Sequence, residues 1–370
     1  MSCIDWIALN TRTCALCMLV MLFASVSFSA KSASYVYVGN AGSASVSVYK
    51  LDTENLSLNL IEHKAIGSLS DAGFSTPMAI SHTREQLYIA TRGGEKLLAR
   101  FKISSDSGAL TLINTQALEH SYAYIAFNPS ESALIGASYP QNLARSWRIN
   151  DNGNAEPVDT HKGLINAHAV VFVDKGRLAL IPTLGNNQLS AIAMVDGSFT
   201  KVKPSLFTFP DNTGPRHLRV LDNTNILYVL GELDARVHVL KMDEVSGEIS
   251  LLQSLALPID WAHAALRDNL PSAADIHISG DGKFLFATER RTNSLCSFAV
   301  LEDSLLQAKQ CVQTEEWPRG FAIDREHELL IVAGQRSHHV SVYKMNKGEL
   351  SFVSRVPTQE GPNYLEIVHF

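Results

Sequence analysis

The sequence predicts an all-β fold, a seven-bladed β-propeller closed by its N- and C-terminal strands, because two short phrases each recur seven times in step. The first phrase is apolar and β-prone and runs into a turn. It reads Tyr37-Val38-Gly39-Asn40, Tyr88-Ile89-Ala90-Thr91-Arg92, Leu134-Ile135-Gly136-Ala137-Ser138 and Leu180-Ile181-Pro182-Thr183 in the first half. It returns as Tyr228-Val229-Leu230-Gly231-Glu232, Phe286-Ala287-Thr288-Glu289-Arg290 and Ile331-Val332-Ala333-Gly334-Gln335. Successive copies start about 45 to 58 residues apart. A period of that size, built from strand-forming residues, is the pattern of blades around one channel.

The second phrase comes about ten residues before the first, starts a strand and often carries proline. Its copies are Thr76-Pro77-Met78-Ala79-Ile80, Ser121-Tyr122-Ala123-Tyr124-Ile125, Ala167-His168-Ala169-Val170-Val171 and Pro215-Arg216-His217-Leu218. Ala274-Asp275-Ile276-His277, Pro318-Arg319-Gly320-Phe321 and Pro362-Asn363-Tyr364-Leu365 complete the set. The two series are offset. The first Tyr-Val-Gly-Asn copy has no partner before it, and the copy at Pro362 has none after it. Ring closure accounts for this: residues 362–368 supply the innermost strand of the blade that begins at the N-terminus, which removes an exposed edge.

The remainder of each repeat fits four antiparallel strands. Gly280-Asp281-Gly282-Lys283 is a tight turn between residues 274–278 and 284–287, with glycine where positive φ costs little. Residues 294–300 and 305–313 continue that blade. Ser105-Asp106-Ser107-Gly108, residues 150–153 and Val245-Ser246-Gly247 mark outer hairpins. Helix signals are nearly absent, apart from an insertion at residues 259–269 that lengthens its repeat and suits a short helix.

Composition agrees with one folded domain: 46% hydrophobic and 18% charged residues leave no disordered signature. A net charge of −6 argues against a nucleic-acid partner. Arg12 precedes an apolar run at residues 14–28 that ends in Ser27-Phe28-Ser29-Ala30. This resembles a secretory signal peptide cut near residues 29–32, with an uncleaved N-terminal anchor as the alternative. The expected organisation is a leader over residues 1–32 and the propeller over 33–370. It implies a periplasmic or secreted monomer with no stable membrane association after cleavage, or a cytoplasmic one if the leader reading fails. Three of the five cysteines lie in the leader. Cys296 and Cys311 flank the Asp303-Ser304 turn symmetrically, which suits either a cross-strand disulfide or two buried thiols.

Inner-strand starts and the turns after the next strand converge on a propeller's axis. The unusual residues gather there: His168, Arg216, His217, Asp275, His277 and Arg319 on inner strands, and Glu232, Arg290, Gln335, Ser337, His338 and His339 on turns. Blade packing does not need them. Together they offer cations for an anionic substrate and His/Glu pairs for proton transfer. Each has a structural alternative, such as an Arg216–Glu232 ion pair or a packed His277. Metal binding through His168, Glu232 and His277 is the minor alternative, and no cofactor or metal is expected. No Gly-x-Ser-x-Gly elbow, phosphate-binding glycine loop or His-Glu-x-x-His motif occurs.

The strings Gly214-Pro215-Arg216-His217, Ala273-Ala274-Asp275-Ile276-His277-Ile278, Pro318-Arg319-Gly320-Phe321 and Gly334-Gln335-Arg336-Ser337-His338-His339 closely resemble one family. It is the seven-bladed propeller lactonases, which include bacterial 6-phosphogluconolactonase and fungal carboxy-cis,cis-muconate cyclase. The resemblance runs from about Ser34 to Val368. It implies opening or closing of a lactone ring without a metal, and a small-molecule substrate that is a sugar lactone or another anionic cyclic ester. By motif, the family's active residues fall on His168, Arg216, Glu232 and Arg290. On this reading Arg216 and Arg290 stabilise the oxyanion, Glu232 or His168 is the base, and Arg319, Gln335 and His338 hold the distal phosphate or hydroxyls. His217, Asp275 and His277 complete the substrate contacts. An exported non-catalytic binding propeller and a muconate-type cyclase are the alternatives.

Overall fold

Each copy of the first phrase forms the second strand of an antiparallel blade, and each copy of the second leads into the innermost one. The computed structural model describes residues 33–200, 205–261 and 270–370, and among these there are seven sheets. Six are four-stranded. The fourth blade carries Val171–Val173, Leu178–Thr183 and Gln188–Val195, and two short segments, Ser198–Phe199 and Ser205–Thr208, share its outer edge. The leader lies outside the described residues. So does most of the insertion proposed as a helix; its described part, residues 259–261, is not helical.

Ring closure takes the form the offset repeats imply. Pro362–His369 pairs antiparallel with Ser34–Asn40, setting Val36 opposite Ile367 and Val38 opposite Leu365. Alternation along Ser34–Asn40 then sends its side chains into two different interfaces. Val36 and Val38 pack with Leu329, Ile331 and Val340 of the last blade, while Tyr35 and Tyr37 pack with Met78, Leu87 and Phe101 of the second. The core is therefore seven clusters, each between two neighbouring blades. Every large apolar residue buried there contributes about 1.5–3 kcal/mol.

The tyrosines of the first phrase have a specific reason. Each lies in the apolar layer while its hydroxyl reaches an outer hairpin of the next blade. The Tyr37 hydroxyl donates to the Gly108 carbonyl at 2.9 Å, Tyr88 to Gly153 at 2.6 Å and Tyr228 to Ser304 at 2.9 Å. Gly108 and Gly153 have positive φ, +71° and +78°, so glycine leaves those carbonyls free of steric cost.

Two details depart from expectation. The segments at Ser121 and Ala167 join the sheet later than the phrase suggests, at Tyr124–Phe127 and Val171–Val173. The latter lead-in is held outside the ladder, by an isolated bridge from Ala167 to Thr183, by the His168 N–H donating to the Pro182 carbonyl and by the Asn166 N–H donating to Asn142 Oδ1. Cys296 and Cys311 form the disulfide, directly opposed on adjacent outer strands. Their Cα atoms lie 4.0 Å apart, below the roughly 4.4–6.8 Å usual for disulfides.

Candidate active site

Four inner strands present their functional side chains by the same device, a β-bulge at the channel mouth. In Pro215–Val220 the register passes from Pro215 opposite Gly231 to His217 opposite Leu230, so Arg216 is the extra residue. Arg319 is the extra residue between Pro318 and Gly320, and Asn363 is skipped between Pro362 and Tyr364. In the sixth blade Ala274 and Asp275 fall between Ala273 and Ile276. A bulge breaks strict alternation and turns a side chain that would enter the blade interface into the channel.

These side chains meet at a cavity of about 300 Å³ on the axis. Arg216 is 2% exposed. Its Nε lies 3.0 Å from Glu232 Oε2, and Arg290 Nη2 lies 2.8 Å from Glu232 Oε1. The carboxylate thus bridges two guanidiniums from different blades. The Glu232 N–H donates to the Gly214 carbonyl at 2.8 Å, which fixes the turn that carries it. Arg290 is held by its Nε donating to the Ser272 carbonyl at 2.9 Å. Arg216 Nη1 donates to the Ala274 carbonyl and lies 3.2 Å from His217 Nε2. The structural alternative for Arg216 and Glu232 is therefore realised, inside the cluster proposed as the site.

Electrostatics lowers the proton affinity of both candidate bases. Burial alone would raise the Glu232 carboxyl, but Arg290 and Arg216 reverse this and hold it below its ordinary value. His168 is lowered as well: burial first, then Arg216 and His217, push it well below its ordinary value. It is a neutral ring at pH 7. It packs edge-on against Tyr139 and His217, with centroids 5.7 and 5.3 Å away, and its Nδ1 has no hydrogen-bond partner among the described residues.

Below this layer lies a second polar layer. His217 Nδ1 is 2.8 Å from Asp275 Oδ1, and His277 Nε2 is 3.1 Å from Asp275 Oδ2. The Phe321 and Ile276 N–H groups also donate to that carboxylate. Burial, followed by Arg216, pulls His217 down to about 3, so it is neutral and donates its Nδ1–H to Asp275. Its Nε2 lone pair then accepts from Arg216. Asp275 and His217 together orient Arg216. Arg219, Tyr124, Tyr364 and Glu366 line the cavity at this depth.

His168, Arg216, His217, Asp275, His277 and Arg319 all line the cavity, with Glu232 and Arg290 in ion-pair contact behind them. Gln335 and His338 do not line it. Gln335 Nε2 donates to the Phe74 carbonyl at 3.4 Å, and His338 is exposed, its Nδ1 accepting from the Gly361 N–H at 3.1 Å. Ser337 turns outward to Glu315. His339 opens a strand and contacts the Ser337 carbonyl.

Sequence reasoning missed Arg92, Arg219, Tyr124, Tyr364 and Glu366. Arg92 had a readable signal: it occupies the turn after the second copy of the first phrase, where Glu232 and Arg290 stand in later copies. Its Nη1 donates to Ser75 Oγ at 3.2 Å, and burial brings it down to about 10. Burial, then the neighbouring Arg216 and Arg290, also pull Arg319 well below its ordinary value. Neither Arg92 nor Arg319 has a carboxylate in ion-pair contact among the described residues. No group of three or more His, Cys, Asp or Glu side chains there is placed to hold a metal ion.

A propeller whose axis holds a bridged arginine pair, a neutral imidazole and further cations is built for acyl chemistry on a polar small molecule. The chain belongs to the lactonase family of seven-bladed β-propellers, whose family model matches residues 36–367. It is 30% identical over 337 residues to the 6-phosphogluconolactonase of Enterobacter sp. (strain 638), covering 90% of this chain and 98% of that one. The 6-phosphogluconolactonase of Klebsiella pneumoniae is 30% identical over 338 residues, covering 90% and 98%. Among solved structures, the periplasmic gluconolactonase of Pseudomonas aeruginosa superimposes with a TM-score of 0.78 at 21% identity, over 91% of this chain and 99% of that one.

Proposed function

We propose that this lactonase hydrolyses an anionic sugar lactone at the cationic end of its channel, with His168 as the general base. The observation that carries the reading is charge. Arg92, Arg216, Arg290 and Arg319 converge there against one bridging carboxylate, Glu232. Half-buried cations without acid partners carry a desolvation cost, and a phosphate or carboxylate on the substrate supplies what Arg92 and Arg319 lack. The 6-phosphogluconolactonases of Enterobacter and Klebsiella are named for such a substrate.

In the first half-reaction the neutral His168 takes a proton from water as its oxygen attacks the lactone carbonyl carbon. The carbonyl oxygen becomes an oxyanion facing Arg216 and Arg290, whose positions Glu232 sets in advance. When the C–O bond to the ring oxygen breaks, the imidazolium returns its proton to that oxygen, and a hydroxy acid leaves. Glu232 is the poorer base because each of its carboxylate oxygens is already engaged by a guanidinium, whereas His168 Nδ1 has no hydrogen-bond partner among the described residues. It serves as the positioning carboxylate. Run in reverse, the same steps close a ring, which is the cyclase alternative.

A second reading rests on residues 1–32. Their resemblance to a signal peptide favours a periplasmic or secreted monomer acting on an unphosphorylated sugar lactone, in place of a cytoplasmic enzyme of the pentose phosphate pathway. Hydrolysis of 6-phosphogluconolactone and of gluconolactone by the purified protein, corrected for the spontaneous reaction, separates the two. Preference for the phosphorylated lactone supports the anionic reading. Preference for the free lactone overturns it in favour of an exported sugar lactonase. Absence of turnover on both points to the binding propeller. Cell fractionation tests the location directly.

A further inference from the structure

Trp317 occupies a backbone position that its side chain does not suit. Four inner-strand lead-ins enter the channel through a residue with positive φ: Asn166 at +52°, Gly214 at +57°, Trp317 at +59° and Gly361 at +71°. Each stands two residues before the side chain presented to the channel: His168, Arg216, Arg319 and Asn363. Glycine and asparagine accept this conformation readily, whereas a bulky aromatic residue does so at a cost. The other positive-φ residues among those described include no Phe, Tyr or second Trp. The fold therefore accounts for a positive φ here, but not for tryptophan.

What the ring touches supplies the reason. The Arg336 guanidinium lies 3.6 Å from the Trp317 ring centroid, and that of Arg290 lies 5.5 Å away. One is exposed on the rim and the other is buried against Glu232. The backbone of Trp317 is tied at both ends: its N–H donates to Asn293 Oδ1 at 2.9 Å, and its carbonyl accepts from the Gln335 N–H at 3.1 Å. A costly conformation held in place by flanking bonds at a site's edge is the usual form of functional strain. It also gives the Gln335-Arg336 string a role, since Gln335 anchors the Trp317 backbone and Arg336 contacts its ring.

We infer that Trp317 is a positioning residue of this site, holding Arg290 toward Glu232 through a cation–π contact, with Arg336 as the outer cation on the same ring. The inference rests on the lactonase reading above. An aromatic face attracts a guanidinium in a way that a merely bulky residue does not. Phe at this position therefore retains the interaction and Leu does not.

The test is a cycle of Trp317→Leu, Arg290→Lys and the double variant, with Trp317→Phe alongside, read as kcat/KM for lactone hydrolysis and as the Kd for inorganic phosphate. Trp317→Leu is expected to lower kcat/KM by roughly 5- to 30-fold, and Trp317→Phe to recover most of that loss. The double variant should be no worse than Arg290→Lys, because both changes act on one guanidinium. Equal losses in Phe and Leu variants, an additive double variant, or an unaffected Trp317→Leu would overturn the inference. Should Trp317→Leu fail to fold, Arg336→Gln decides, since it alters an exposed side chain: a loss of about two- to five-fold is expected, and no loss overturns the assignment. If the wild-type chain hydrolyses no lactone, the lactonase reading fails and the phosphate cycle alone decides. A wild type that neither hydrolyses lactone nor binds phosphate overturns both.

Discussion

The innermost strands of the second and fifth blades do the same architectural work with opposite chemistry. Met78–Ser81 pairs in unbroken register with Gln86–Ala90 and presents Ala79 and Ile80. Pro215–Val220 pairs with Ile226–Gly231 through a bulge and places Arg216, His217 and Arg219 in the channel wall. Both hold their blade to the ring, so neither the bulge nor the charge is needed for that purpose. The fifth blade accepts buried cations and broken register at the proposed site, whereas the innermost strand of the second shows what the fold adopts when only packing matters.

The largest expected effect would erase the comparison altogether. Deleting residues 362–370 removes the innermost strand of the first blade, which buries Leu365 and Val368 and closes the ring. The truncated chain should lose cooperative thermal unfolding and go largely to insoluble protein. A soluble variant melting near the wild-type temperature would contradict ring closure as the fold's fastening.

Next come single substitutions on the two contrasted strands. Arg216→Ala should lower turnover by roughly 10²–10⁴ while circular dichroism still reports a folded β protein. Ile80→Ala should do the reverse, costing up to about 2 kcal/mol of stability and leaving kcat/KM within about three-fold. Similar losses of activity in both would mean that the charged strand is not special.

A smaller effect is electrostatic and concerns the deeper layer. Burial, opposed by Arg219, pushes the Glu366 carboxyl up to about 8 from an ordinary value of 4.5. The fold thus holds this proton more tightly than the unfolded chain does. Its stabilising contribution is complete below pH 4.5 and is lost as pH rises through about 8. His217 has the opposite sign: brought down to about 3, it contributes fully above its ordinary 6.5 and loses that contribution as pH falls toward 3. Melting temperatures followed between these limits should show Glu366→Gln losing part of the wild-type decline on the alkaline side. An identical pH profile in the two proteins would place the Glu366 proton elsewhere.

The smallest effect belongs to a residue that sequence placed in the site and structure places on the rim. His338→Ala should leave kcat/KM within about two-fold, because the ring is exposed and bonded to the Gly361 N–H. A loss above ten-fold would mean that the rim closes onto the substrate.

Most of the fold was legible because it is periodic. Tyr37, Tyr88 and Tyr228 fall at one point of the repeat, and each meets the same demand, an apolar body with a hydroxyl reaching the next hairpin. The site was legible only in part. Arg216, His217, Asp275 and Arg319 stand out as charges within strands that otherwise alternate apolar residues. Arg92 and Glu366 do not, since a single arginine in a polar turn or a single glutamate in a terminal strand is ordinary in sequence.

By itself the sequence determined the blade number, the closure and the strand periods, since each repeats a local preference of the chain often enough to be read. Tertiary structure alone decided which charges face one another. Arg216, Glu232 and Arg290 come from two blades and from positions up to 74 residues apart (290 − 216), and a one-residue bulge turns Arg216 toward them. Strand register and ring geometry set that convergence, and no local window of sequence carries it.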